Sequence, residues 1–127
     1  KKLAAGIDFA AEIGTPIYAT ADGTVEVVSV KFSGYGKKVE IDHGFGYRTR
    51  YAHMHGFNVK PGQQVKRGDL IGYVGNTGLS TAPHLHYEVI INGEQVDPVH
   101  YFFNDLTAAE YEKILELAST ENQSLGM

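Results

Sequence analysis

Four of the six histidines in this 127-residue chain stand in two His-x-His pairs, His53-Met54-His55 and His84-Leu85-His86. In an extended strand, side chains at i and i+2 lie on one face, so each pair aims two imidazoles at a common surface. Such a pair suits a metal site or acid–base catalysis. Near the amino end, Gly6-Ile7-Asp8-Phe9-Ala10-Ala11 sets a carboxylate among apolar neighbours. Burying it is costly unless it is paired, hydrogen-bonded or bound to a cation. Imidazoles and a carboxylate brought together point to a metal-activated water.

The surroundings separate the six rings. Along His84 to Ile91, positions His84, His86, Glu88 and Ile90 share one face, while Leu85, Tyr87, Val89 and Ile91 share the core face. Tyr47, Thr49, Tyr51 and His53 form a second same-face series, in which Tyr51 and His53 supply a hydroxyl and an imidazole to one groove. His55 precedes Gly56 and reads as a bystander turned outward. His43, inside Asp42-His43-Gly44-Phe45, reads as a structural residue bonding its own turn, and His100 as a packing or capping residue. Asp8 has a bland alternative as a turn cap after Gly6; Asp22, before Gly23, needs no functional reading.

Positioning falls to short strands. Fifteen glycines and many β-branched runs point to a β-rich domain with tight turns. Strands are expected over 16–20, 24–32, 37–42, 46–53, 70–75 and 84–91, with Asn92-Gly93 closing a hairpin. One domain spans 1–105. Thr107-Ala108-Ala109-Glu110 is a capping box with Leu106 and Tyr111 in the staple positions. Tyr111, Ile114, Leu115 and Ala118 then repeat at helical spacing, predicting an amphipathic helix over 106–120 packed on the same domain, with a disordered tail over 121–127.

Composition narrows the function. At 43% hydrophobic the chain can bury a core without staples, and zero cysteines exclude thiolate ligands and a thiol nucleophile. A net charge of −4 with scattered Lys and Arg argues against nucleic acid and against a polybasic membrane patch. No membrane-spanning run is present. Starting at Lys1, the chain reads as a fragment, and an upstream domain or anchor is left open.

Four stretches together resemble the M23 family, the lysostaphin- and LytM-like zinc peptidases that cut peptidoglycan. They are Gly-Ile-Asp-Phe-Ala-Ala from Gly6, Gly-Thr-Pro-Ile-Tyr-Ala-Thr-Ala-Asp-Gly-Thr-Val from Gly14, Tyr-Ala-His-Met from Tyr51, and Gly-Asn-Thr-Gly-Leu-Ser-Thr-Ala-Pro-His-Leu-His-Tyr-Glu-Val from Gly75. The similarity runs from about Ala5 to Tyr101 in the family's order. It implies a mainly β, largely antiparallel domain of duplicated-hybrid-motif type with an open groove. It also implies one zinc, peptidoglycan peptides as substrate, and a periplasmic or extracellular place in the cell envelope.

Carried over by position, the resemblance makes Asp8 and His86 zinc ligands and puts His53 and His84 beside the metal as catalytic residues. The third ligand is expected four residues before Asp8, where this chain has Ala4. Structural zinc sites are worth roughly 10–16 kcal/mol over four ligands, or about 3 per ligand. One lost ligand then weakens binding by about two orders of magnitude. Either the histidine of an active enzyme has been replaced, or this is a natural non-catalytic, peptidoglycan-binding or hydrolase-activating module. Retention of Asp8, His53, His84 and His86 favours replacement.

The segments Lys31–Lys38 and Asn76–Ala82 are expected to rim the groove, with Tyr35, Tyr51 and Thr81 as substrate contacts. Which peptidoglycan bond enters is not readable from them. Val65 to Gly72 also resembles a lipoyl-type hammerhead turn, but no modifiable Lys sits at a hairpin tip.

Overall fold

The computed structural model describes residues 6–98; Ala4, the expected helix and the tail lie outside the described residues. In chain order the strands are β1 (Ile7–Ala10), β2 (Pro16–Tyr18), β3 (Gly23–Ser29), β4 (Lys38–Gly44), β5 (Tyr47–Ala52), β6 (Met54–Phe57), β7 (Gln64–Val65), β8 (Leu70–Val74), β9 (His84–Ile91) and β10 (Glu94–Val96). The larger sheet has the order β1-β9-β5-β4-β3-β7, with β10 also on β9; the smaller is β2-β8-β6. Every pairing is antiparallel, as the sequence led us to expect.

Strand β9 is the spine. Its one edge carries β5 through residues 86–91, and its other edge is shared by β1 over 84–87 and β10 over 89–91. Alternation then sorts side chains onto two faces. Phe9, Val25, Val39, Ile41, Tyr51, Leu85, Tyr87 and Val89 join one apolar cluster with Ile17, Met54, Ile71 and Val74 of the smaller sheet. The opposite face of the larger sheet is left to Asp8, Glu40, Arg48, Arg50, His84, His86 and Glu88.

The expected strand over 84–91 is observed with those bounds, and the one over 46–53 stops at Ala52. Strands β1, β6 and β7 were not expected, and β10 was implied only by the Asn92-Gly93 turn. β1 takes up Asp8, which therefore sits in a ladder and not in a turn cap; β6 begins at Met54, immediately past the residue where β5 stops. His53 between them has φ 60, a left-handed conformation unusual for a side chain with a Cβ. Its N–H donates to the Tyr35 carbonyl at 2.8 Å and the Met54 N–H to the Lys37 carbonyl at 2.9 Å. The chain thereby leaves the larger sheet and enters the smaller one.

That corner corrects the expectation for Tyr51. It shares a face with Thr49 but not with His53, and it is 0% exposed, so it is no groove residue. Its hydroxyl accepts from Thr49 Oγ1 at 2.9 Å and from the Thr20 N–H at 3.2 Å; Thr20 Oγ1 lies 3.0 Å away and 2.9 Å from the Tyr87 hydroxyl. His43 joins this chain at Thr49 Oγ1, 2.7 Å from Nε2, while Nδ1–H donates to the Asp22 carbonyl at 2.7 Å. It is structural, as expected, but it ties its hairpin to the neighbouring turn and not to its own. Burial pushes its pKa below the ordinary histidine value.

Removing one hydroxyl from this buried chain leaves its neighbours short of a partner, which costs about 1–3 kcal/mol. Tyr51→Phe is expected to lower equilibrium stability in urea by that amount while leaving the imidazole resonances of His84 and His86 in place. Loss of those resonances together with unchanged stability would restore Tyr51 to the groove.

Candidate active site

Register alone builds the first half of the site. Asp8 of β1 and Ala52 of β5 flank His86 of β9 in adjoining ladders. Asp8 Oδ1 lies 2.7 Å from His86 Nδ1 and 3.6 Å from His84 Nε2. Gly6 makes the approach of β1 possible, since a Cβ there would sit 2.5 Å from the Tyr87 carbonyl and 2.9 Å from His86 Cε1.

The sheet corner supplies the third imidazole. Strand alternation would have sent His53 into the core beside Tyr51; the left-handed backbone brings its ring to 4.9 Å from that of His84 and 6.0 Å from that of His86. His53 Nδ1–H donates to the Thr77 carbonyl at 2.6 Å. His84 Nδ1–H likewise donates to the Ala82 carbonyl at 2.8 Å, with Ser80 Oγ 3.2 Å away. A carbonyl only accepts, so each neutral ring carries its proton on Nδ1 and keeps the Nε2 lone pair for chemistry.

His86 has the opposite surroundings. A carboxylate stands at each nitrogen, Asp8 at Nδ1 and Glu88 Oε2 at 2.8 Å from Nε2. Burial pushes the His86 pKa down, but hydrogen bonds to Glu88 and Asp8 outweigh it and hold the value above the ordinary one. Burial dominates at His53, and its pKa falls below the ordinary one despite the Thr77 carbonyl. His53 and His86 are thus differentiated by environment, the usual basis for dividing acid and base work.

Glu88 is 1% exposed. It accepts from Arg50 Nη1 at 2.5 Å, the Tyr35 hydroxyl at 2.8 and 3.1 Å, and Gln95 Nε2 at 3.1 Å. Arg50 in turn donates to Glu40 at 2.8 Å and packs over the Tyr35 ring at 4.7 Å. Burial acts to raise the Glu88 pKa, yet the His86 and Tyr35 hydrogen bonds and the Arg50 charge hold it below the ordinary carboxylate value.

Asp8, His53, His84 and His86 therefore meet in one place. Tyr35 stacks on His86 with ring centroids 6.1 Å apart, and with Gly34, His53, Leu79 and His86 it lines a hollow of about 250 Å³. Thr81 is exposed in the loop before β9. His55 is exposed, consistent with its reading as a bystander. Glu88, Arg50, Thr77 and Gln95 were missed as site residues. Same-face alternation did mark Glu88, but only the strand register shows Arg50 opposite it.

The donor set is that of a cation site in part. Asp8 Oδ1 and His86 Nδ1 are joined by a hydrogen bond on one face, and a zinc held by both would take the place of the proton between them. Among the described residues no cluster of three His, Cys, Asp or Glu able to hold a metal ion is completed. The pair suits part of a zinc site, and position 4 has no donor side chain to add.

The His86 pKa is raised, so its stabilisation is fully present below the ordinary value near 6.5 and fades as pH rises through the folded value. Asp8→Asn is expected to move the His86 titration towards the ordinary value in imidazole NMR. It should cost up to about 1 kcal/mol at acidic pH and less at alkaline pH, the effect being limited by solvent around the exposed Asp8. An unmoved His86 titration would disprove the coupling.

Three comparisons place this geometry among known proteins. The chain is 50% identical over 98 residues to the DD-carboxypeptidase/endopeptidase Mpg of Neisseria meningitidis, covering 77% of this chain and 22% of that protein. A zinc-containing peptidase from Vibrio cholerae superposes with TM-score 0.70 at 46% identity, over 72% of this chain and 28% of that one. The catalytic domain of lysostaphin from Staphylococcus simulans superposes with TM-score 0.74 at 34% identity, over 80% of each. The chain spans about a fifth of the length of the curated relatives it matches. The model of peptidase family M23 matches residues 2–98. A chain with this sheet, this cluster and that match belongs to peptidase family M23.

Proposed function

We propose that this domain is a zinc endopeptidase unit acting on peptidoglycan peptides in the cell envelope, disabled in this chain by Ala4. The observation that carries the reading is the meeting of Asp8, His86, His84 and His53 on one polar sheet face. The DD-endopeptidase and DD-carboxypeptidase/endopeptidase names of relatives support the substrate class.

Asp8 and His86 would hold the zinc, with the third ligand expected at position 4. Bound zinc supplies a hydroxide near neutral pH and polarises the scissile carbonyl. The chain's own residues do the rest. His53, kept neutral by burial, is suited to take a proton at Nε2 while Thr77 holds the other side of the ring. His84, anchored at Nδ1 by Ala82, presents Nε2 towards Asp8 and can exchange a proton with substrate or hydrogen-bond an oxyanion when protonated. The hollow between Tyr35, Leu79 and His53 gives a substrate side chain a place to rest beside these rings.

A second reading, a non-catalytic peptidoglycan-binding or hydrolase-activating module, is favoured by Ala4 alone. Ala4→His separates the two. It is expected to raise zinc affinity about 100-fold, to near one zinc per chain, and to restore cleavage of muropeptides. Metal analysis with muropeptide digestion of both proteins makes the check. A restored protein that binds zinc tightly yet leaves crosslinked peptidoglycan intact would end the peptidase assignment.

A further inference from the structure

We propose that Glu88, oriented by Arg50, is a positioning residue that sets the tautomer of His86, keeping its proton on Nε2 and its Nδ1 lone pair towards Asp8. The consequence for zinc rests on the functional reading above; the tautomer itself does not.

Counting donors and acceptors carries the inference. Arg50, Gln95 and His86 can only donate to the Glu88 oxygens, and the Tyr35 hydroxyl, which itself receives Arg50 Nη1 at 2.9 Å and Gln95 Nε2 at 3.3 Å, has its proton left for Glu88. At 1% exposure Glu88 has no water to substitute for a lost donor, whereas the Asp8 side chain is 63% exposed and can be satisfied by solvent. The buried acceptor therefore claims the single N–H of the neutral His86 ring. In the cationic ring Nδ1–H donates to Asp8 Oδ1 at 2.7 Å; this proton, beside the solvent-exposed carboxylate, is the one the neutral ring gives up, and its loss frees the Nδ1 lone pair for a cation shared with Asp8.

Arg50 decides what an amide would do in the same place. In Glu88→Gln the guanidinium, fixed by Glu40 at 2.8 Å, faces the Oε1 position at 2.5 Å and selects the amide oxygen there. The amide NH2 is left facing His86 Nε2 and the Tyr35 oxygen. Nε2 must then accept, and the proton moves to Nδ1, into the space shared with Asp8.

The test reads the proton directly. Nitrogen-15 NMR of the neutral His86 ring is expected to show Nε2–H in the unsubstituted chain and Nδ1–H in Glu88→Gln. Arg50→Met/Glu88→Gln, in which the amide is free to turn round, is expected to return to Nε2–H. That return is one a merely structural role for Glu88 would not produce. In an Ala4→His background, Glu88→Gln is expected to weaken zinc binding about 10–100-fold. A proton found on Nδ1 in the unsubstituted chain overturns the proposal whatever Ala4→His does with zinc, and needs no variant to fold. A folded Glu88→Gln that keeps Nε2–H overturns it as well.

Discussion

A carboxylate buried on the polar face of a sheet is the constraint around which this domain is arranged. Glu88 is 1% exposed, and an ionised acid at that depth persists only where donors surround it. They arrive from separate elements: Arg50 from β5, Gln95 from β10, Tyr35 from the loop between β3 and β4, and His86 from its own strand. Displacing any of them leaves charge or hydrogen-bonding capacity uncompensated. The network is therefore a requirement for order as much as a decoration of the site. Arg50 is in turn shared with Glu40, which also pairs Lys38 at 3.0 Å and Arg48 at 3.4 Å, so the arrangement extends across four strands, β4, β5, β9 and β10.

From that anchor the chemistry follows by geometry. The strand register sets Asp8 and Ala52 on either side of His86, and alternation keeps His84 on the same surface. One backbone exception at His53 completes the cluster. A left-handed residue with a Cβ is costly, and such strain persists only where surrounding bonds over-determine it; here the Tyr35 and Thr77 carbonyls hold the backbone and ring of the same residue. The site is thus assembled from a regular part, dictated by pairing, and an irregular part, dictated by the change of sheet.

How much of this was legible in the chain differs residue by residue. His84 and His86 on a strand with an apolar reverse face are plain from alternation, and so is the strand from His84 to Ile91. Asp8 among apolar neighbours and His53 in its His-x-His pair were marked by residue type, family likeness gave them roles, and the structure brings both to the other two histidines. Tyr51 was misassigned because a period of two was carried through residue 53, and nothing in the residue types Ala-His-Met announces a positive φ. Arg50 could not be linked to Glu88 without knowing that β5 pairs with β9, a contact 38 residues apart in the chain. Local pattern exposes faces; only long-range register says which faces meet.

Strand β1 is four residues long and, among the described residues, ends the sheet order and is bonded to β9 along one side. Short boundary strands open at lower free energy than the interior of a sheet. The carboxylate of the cluster is therefore mounted on a boundary strand, whereas His84 and His86 are built into the spine. A cation gripped by both would act as a clasp, coupling order in β1 to occupancy of the centre.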